Sequence, residues 1–315
     1  MTAATAKITS KTTSSTITND DDDAAAVDNT TTASSIIDDS AKTVETSTSL
    51  FAGVNGGDND VVVADESLLD ELRTKILALK IVGTDDKNDS EDINYEVDHM
   101  LSGDDDDDNS TTNSNLRRLL IARQNDIKKA YEMGKSIIMW RAKMKPHLLS
   151  IKDFPTAHAQ GVWRFAGYAK NGWGIIKIIA KNWSSFSYSV DEYCKMVAYY
   201  MEHNINRCKN STEKKNFLIF DMKHMSYLSD IRKLRVLAKL TNDYYPERLG
   251  IAVIVNCDWV FDKLFNIMIK WVDVRTSKKA IDFRTNGSEF LLQHVDQDQF
   301  TVDLGGTRDA EWPLE

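Results

Sequence analysis

Apolar residues arrive in short bursts separated by polar stretches, and the spacing inside each burst sets the expected elements. Residues 1–64 hold Thr, Ser, Ala and Asp and few large apolar groups, so they cannot bury enough surface to offset ordering entropy and are expected to be disordered. Leu68, Leu69, Leu72, Ile76, Leu77 and Leu79 form a broad apolar face that predicts a short helix over 66–80. Residues 83–114 read as an acidic linker with at most a short helix near Tyr95–Leu101. Helical spacing returns over Leu116–Arg123 and again over Ile127–Arg141, where Asp126 can cap the start and Ala130, Met133, Ile137 and Trp140 share a face. From about Gly161 the pattern changes. Trp163–Lys170 and Gly174–Ala180 read as strands joined by a turn at Lys170-Asn171-Gly172. A helix over 190–206, an apolar strand at Phe217–Asp221, a helix at Leu228–Leu240 and a strand at Ile251–Asn256 follow. A helix at Trp259–Val272, a strand at Lys279–Phe283 and a helix at Glu289–Val295 complete the series. The expected class is α/β: a small helical N-terminal domain, then a lobe with a mostly parallel sheet flanked by helices.

Charge sharpens this division. Residues 1–64 carry a net −7 and residues 65–110 a net −12, which leaves +10 on residues 111–315. A basic body suits an anionic surface, either a phosphoinositide-bearing membrane or, less specifically, nucleic acid; no interleaved aromatic and basic pattern supports the latter. The run Asp104–Asp108 reads as a solvated, self-repelling loop, because adjacent carboxylates do not converge on a cation as spaced ligands do. Cys194, Cys208 and Cys257 are scattered and odd in number, which fits a reducing compartment. The sequence contains no run of 18 apolar residues and no secretory pattern at its start, and Asp20–Asp23 argue against a transit peptide. A cytoplasmic chain with reversible membrane contact is expected. Catalysis finds little support: no GxxxxGK[ST], GxSxG or HExxH motif occurs, Gly172-Trp173-Gly174 lacks a third glycine, and the six histidines show no ligand spacing. No enzyme activity, metal or cofactor is expected.

One segment points further. Tyr244-Tyr245-Pro246-Glu247-Arg248-Leu249-Gly250 precedes the strand at Ile251–Asn256, with Thr276 and Lys279 following at fixed spacing. Upstream stand Leu116-Arg117-Arg118-Leu119-Leu120-Ile121-Ala122-Arg123 and Ala130-Tyr131-Glu132-Met133, and downstream Asp303-Leu304-Gly305-Gly306. Over roughly residues 116–306 this layout resembles the CRAL-TRIO domain family, and within it the secretory-pathway phosphatidylinositol/phosphatidylcholine transfer proteins. Composition and this resemblance together divide the chain into a disordered tail over 1–64, a helical domain with its acidic linker over 65–148, a lipid-binding domain over 149–306 and a C-terminal tail over 307–315. It implies a phospholipid as the bound ligand and no other cofactor. It also implies headgroup contacts at Glu247, Thr276 and Lys279, whose chemistry is sound: a lysine ammonium pairs with a phosphodiester, a threonine hydroxyl donates to phosphate, and a carboxylate accepts from inositol hydroxyls. Arg123 matches a further basic position, although Ile121 and Gln124 depart from the family's neighbouring arginine and lysine. Two readings stand for Arg123, phosphate ligand or helix-end cation, and two for Glu247, headgroup acceptor or partner of Arg248. Phe261, Leu264, Phe265, Met268 and Trp271 fall on the helix that gates the cavity in relatives; an ordinary core helix is the other reading. The hydroxyls and aromatic that relatives use for choline lipids are replaced by Asn216–Phe220 and Gly174–Ile178. The implied function is phosphatidylinositol binding with transfer or presentation, exchanging with a second hydrophobic lipid at a transient membrane surface, by a monomer. A non-exchanging lipid sensor or adaptor, or a carrier of one sterol or isoprenoid, is the alternative.

Overall fold

In a computed structural model of the chain, the described residues are 62–80, 87–103, 113–183, 187–209, 214–225, 231–257, 270, 279–283 and 287–314. The expected helix over Trp259–Val272 apart from Lys270, all five gate positions on it and Thr276 lie outside them.

Four helices form the N-terminal bundle: α1 (Leu69–Leu77), α2 (Lys87–Ser102), α3 (Ser114–Ala122) and α4 (Ile127–Met144). Leu72, Ile76, Val97, Leu116, Leu119, Leu120, Met133 and Ile137 interlock as its core. Asp126 caps α4 as expected, its side chain accepting from Lys129 N at 3.0 Å. Gly134 lets α4 sit close to α1 and α3, since a Cβ there would lie 2.8 Å from Ile76 Cδ1 and 2.9 Å from Leu119 Cδ1. Among the described residues, Val63 and Ala64 already join the bundle: the Val63 carbonyl accepts from Asn125 Nδ2 at 2.9 Å, and Ala64 is buried. These lie just inside the boundary read from composition.

The acidic stretch behaves differently from its expectation. It contains a 16-residue helix, α2, where a linker with a short helix near Tyr95–Leu101 was expected. Two causes override its poor helix propensity. Ile93, Val97, Met100 and Leu101 place an apolar edge on the bundle core. Its acids meet cations: Asp92 pairs with Lys145 and Asp98 with Lys80, both at 2.6 Å, and buried Glu96 reaches Arg141.

A short helix α5 (Pro155–Ala159) leads into the lobe. There β1 (Trp163–Tyr168), β2 (Gly174–Ile179), β3 (Asn216–Asp221), β4 (Leu249–Val255) and β5 (Ala280–Phe283) form one sheet in chain order. β1 and β2 make an antiparallel hairpin and the remaining neighbours are parallel. Between β2 and β3 runs α6 (Val190–Arg207), and between β3 and β4 runs α7 (Ile231–Tyr244). Side chains alternate across the sheet with the period of two that strands impose. Ile176, Ile178, Leu218 and Ala252 pack with Tyr193, Met196, Tyr200, Leu234 and Leu237 of α6 and α7. Ile175, Phe217, Ile219, Val253 and Val255 pack on the opposite side with Leu291 of α8 (Gly287–His294), Phe300 and Leu304. Observed ends lie within a few residues of those expected, as element ends commonly do.

The last residues are fastened to the second face. Trp312 Nε1 donates to the Gln299 carbonyl at 2.9 Å, and Arg164 donates to the Trp312 carbonyl at 2.8 Å. Lys177, 2% exposed in the middle of β2, reaches Glu311 at 2.6 Å, Asp221 at 3.5 Å and Thr301 Oγ1 at 3.3 Å. A buried ammonium is costly in apolar surroundings, and this ring of oxygens offsets the cost.

Candidate lipid-binding site

The segment Tyr244–Gly250 is a turn with several destinations. Tyr244 ends α7 and stacks on Trp140 of α4, with ring centroids 4.3 Å apart and planes 7° from parallel. Tyr245 meets the same indole edge-on at 5.8 Å and is buried. Burial, reinforced by the charge of Glu202, pushes its hydroxyl pKa well above the ordinary tyrosine range. Arg248 donates to the Lys214 carbonyl at 3.0 Å. Gly250 lies under Trp173, where a Cβ would come within 2.2 Å of the ring. Most of the motif therefore ties the bundle to the lobe.

Glu247 takes a different direction. Its backbone has φ 55°, the left-handed region that costs a non-glycine residue on the order of 1 kcal/mol or more. The Arg248 amide, bonded to the Tyr245 carbonyl at 3.2 Å, helps hold that turn. Its carboxylate accepts from Lys279 Nζ at 2.8 Å. Lys279 directly precedes β5, and its carbonyl accepts from the Ala252 amide of β4 at 2.9 Å. The pair is neither free nor sealed: the side chains are 24% and 12% exposed for Lys279 and Glu247. Thus two of the headgroup positions read from the sequence meet in space. Glu247 forms an ion pair with Lys279.

Arg123 stands elsewhere. It caps the C-terminal end of α3, its Nη1 lies 3.4 Å from the Ala122 carbonyl, and it borders an open groove with Asp126, Lys128 and Glu132. Neither Glu247 nor Lys279 borders that groove.

Near the carboxyl ends of the parallel strands is a small apolar cluster apart from the main core. Ala180, Met222 and Ile254 are buried there, with Phe220, Met225 and Cys257 partly exposed against them. Open α/β sheets commonly take ligands at this end. Among the described residues no group of His, Cys, Asp and Glu could hold a metal, and no helix is long and apolar enough to cross a membrane.

The sequence reading missed the charged seam behind the motif. Arg141 of α4, 8% exposed, binds Glu96 of α2 at 2.6 Å and Glu202 of α6 at 2.8 Å. Burial alone would raise the Glu202 pKa, but the charge and hydrogen bonds of Arg141, with His99 and Arg248 assisting, hold it below the ordinary glutamate range. Only the apolar periodicity around Arg141, which places it on the face shared by Ile137 and Ile138, could have marked it as buried.

The CRAL/TRIO domain family model matches residues 159–306. The Sec14 cytosolic factor of Schizosaccharomyces pombe is 33% identical over 73 residues, which are 23% of this chain and 26% of that protein. A CRAL-TRIO domain-containing protein of the same yeast is 24% identical over 201 residues, 61% of this chain and 45% of its own. A CRAL-TRIO domain-containing protein of Caenorhabditis elegans is 23% identical over 212 residues, 61% of this chain and 30% of its own. The chain thus spans between about a quarter and under half of these curated relatives. The crystal structure of Sfh5 superposes with a TM-score of 0.58 at 19% identity, covering 80% of this chain and 89% of that one.

Proposed function

We propose that residues 159–306, which match the CRAL/TRIO domain family model, form a lipid-binding domain of that family, and that the chain binds phosphatidylinositol and transfers or presents it at a membrane surface. The observation that carries this reading is the Glu247–Lys279 pair. A cation and a carboxylate share a partly exposed position, held there by a left-handed turn and the start of a strand. A phosphodiester can take the ammonium while inositol hydroxyls take the carboxylate. Thr276, three residues before Lys279, adds a hydroxyl donor in this reading.

Energetics supply the need for a closing element. Two acyl chains of ~16 carbons, at about 0.8 kcal/mol per CH₂, leave on the order of 25 kcal/mol to be sheltered in transit. Phe261, Leu264, Phe265, Met268 and Trp271 would form the lid and its membrane-facing surface. The protein would act without catalysis, as a cytoplasmic monomer in transient contact with membranes. With Asn216–Phe220 and Gly174–Ile178 lacking the hydroxyls and aromatic that relatives use for choline lipids, the second ligand in this reading is a hydrophobic lipid other than phosphatidylcholine.

Mass spectrometry of lipids extracted from the purified protein tests this reading. Phosphatidylinositol should be enriched over its cellular share. A sterol or isoprenoid as the sole enriched lipid would instead favour a single-ligand carrier. If phosphatidylinositol is bound but vesicle-to-vesicle transfer is absent, the protein is a sensor or adaptor.

A further inference from the structure

The end of the sheet at which β2 and β3 begin gathers cations that the sequence scatters. The turn between β1 and β2 brings Lys170 there, α6 ends there at Arg207, Lys209 follows, and Lys214 and Lys215 lead into β3. The Lys209 amide donates to the Gly172 carbonyl at 2.8 Å, which fastens the end of α6 to the turn. Along the chain, residues 206–217 hold Arg207, Lys209, Lys214 and Lys215 against Glu213 alone. Asp296, 3.9 Å from Lys170, adds a carboxylate beside the turn.

Aromatic rings stand among these charges. Arg207 Cζ lies 4.4 Å from the centroid of Phe165 and 5.3 Å from that of Tyr168, and Lys209 Nζ lies 3.9 Å from the Tyr168 centroid. Lys215 Nζ is 5.8 Å from the Trp173 ring. Tyr168 and Trp173 are only half-buried, and Lys209 is exposed. Two cations over one tyrosine repel each other, and a ring quadrupole offsets only part of that repulsion. Among the described residues neither Arg207 nor Lys209 makes an ion pair, and Arg207 Nη1 is buried with no hydrogen-bond partner. The surface is short of negative charge.

We propose that this end of the sheet docks on an anionic phospholipid surface, with Arg207 and Lys209 as its principal cations and Tyr168 as its interfacial ring. The cations occupy a turn and the ends of elements rather than one helix face, an arrangement that meets a surface and not a nucleic-acid groove. Tyrosine and tryptophan suit headgroup depth, where part of the ring is wet and part apolar. Lysine and arginine beside them gain from the negative potential of the leaflet, which acts within a Debye length and needs no fixed partner atom. Glu247 and Lys279 precede the parallel strands β4 and β5, so they lie at the same end of the sheet. Docking there turns that pair toward the bilayer. The orientation serves the headgroup reading proposed above, but the docking does not depend on it.

The test is co-sedimentation of the full chain with vesicles of phosphatidylcholine alone or with phosphatidylserine added, both free of phosphatidylinositol so that the headgroup pair has no ligand. Binding should require phosphatidylserine and should weaken as sodium chloride rises. Each cation removed should weaken it roughly fivefold, so Arg207→Gln combined with Lys209→Gln should lose roughly thirtyfold. Lys209→Gln alone, at an exposed position, should show the fivefold loss even if the double variant folds poorly. Lys135→Gln combined with Lys152→Gln removes the same charge from exposed positions on α4 and just before α5, and should bind as the wild type does. Failure to bind phosphatidylserine vesicles, binding that is equal without phosphatidylserine, or equal losses in the two double variants overturns the proposal. Failure on vesicles with retention on duplex DNA assigns the surface to nucleic acid instead.

Discussion

Replacing Arg141 by methionine should expose how strongly the bundle is bound to the lobe. The guanidinium bridges Glu96 and Glu202, which come from different parts of the protein and are themselves largely buried, with side chains 1% and 14% exposed. Removing it leaves two carboxylates without their main partner, a change that typically costs about 3–5 kcal/mol. The cost has a definite pH dependence. In the wild type the Glu202 pKa is depressed, so its stabilising contribution is present above the unfolded glutamate pKa of about 4.3 and is lost as pH falls through the folded value. In Arg141→Met the burial influence is opposed only by the smaller effects of His99 and Arg248 and raises that pKa, so the variant gains relative stability as the carboxylate protonates. Urea unfolding followed by tryptophan fluorescence, at pH 7 and near pH 4.5, measures both effects. The gap between variant and wild type should be wide at pH 7 and should narrow at low pH. The triple variant Glu96→Gln, Arg141→Met, Glu202→Gln should recover much of the loss, because no charge remains buried. A cost under about 1 kcal/mol, or a gap that does not change with pH, would refute the reasoning.

Other perturbations test separate parts of the structure. Trp140→Ala removes the stacked and edge-on contacts to Tyr244 and Tyr245, and should cost about 3–5 kcal/mol in denaturant unfolding. Gly250→Val must displace the Trp173 ring and should lower stability by about 1–3 kcal/mol; an unchanged unfolding midpoint would mean the ring moves freely. Glu311→Ala strips Lys177 of its shortest ion-pair contact, so thermal stability should fall although the residue lies near the end of the chain. Charging the gate position with Phe265→Asp should lower vesicle association and lipid transfer together, while a sharp fall in stability with both activities retained would mark an ordinary core helix.

The strands were legible because their side chains follow simple periods. Phe217, Leu218 and Ile219 form an unbroken apolar run, as a strand covered on both faces must. The length of α2 was not legible, because Asp89, Glu91, Asp92, Glu96 and Asp98 depress any estimate from propensity or charge, and the cations that Asp92, Glu96 and Asp98 meet, Lys145, Arg141 and Lys80, lie outside this helix. Lys177 read only as one polar residue in an apolar strand; Asp221, Thr301 and Glu311, which make it tolerable, are distant in sequence. The motif around Glu247 was found by resemblance, but its division of labour was not. Tyr244, Tyr245, Arg248 and Gly250 serve packing at the seam, and only the fold shows that Glu247 alone among them turns to Lys279.

The most direct test of the central claim is competitive transfer of phosphatidylinositol against phosphatidylcholine between vesicles by the wild type and Lys279→Ala. The lysine's contact to the phosphodiester should be worth about 1.5–3 kcal/mol. Phosphatidylinositol transfer should therefore fall roughly ten- to hundredfold while the folded state persists. Transfer of phosphatidylinositol by Lys279→Ala at the wild-type rate would contradict the headgroup assignment and leave a CRAL/TRIO carrier of some other hydrophobic molecule.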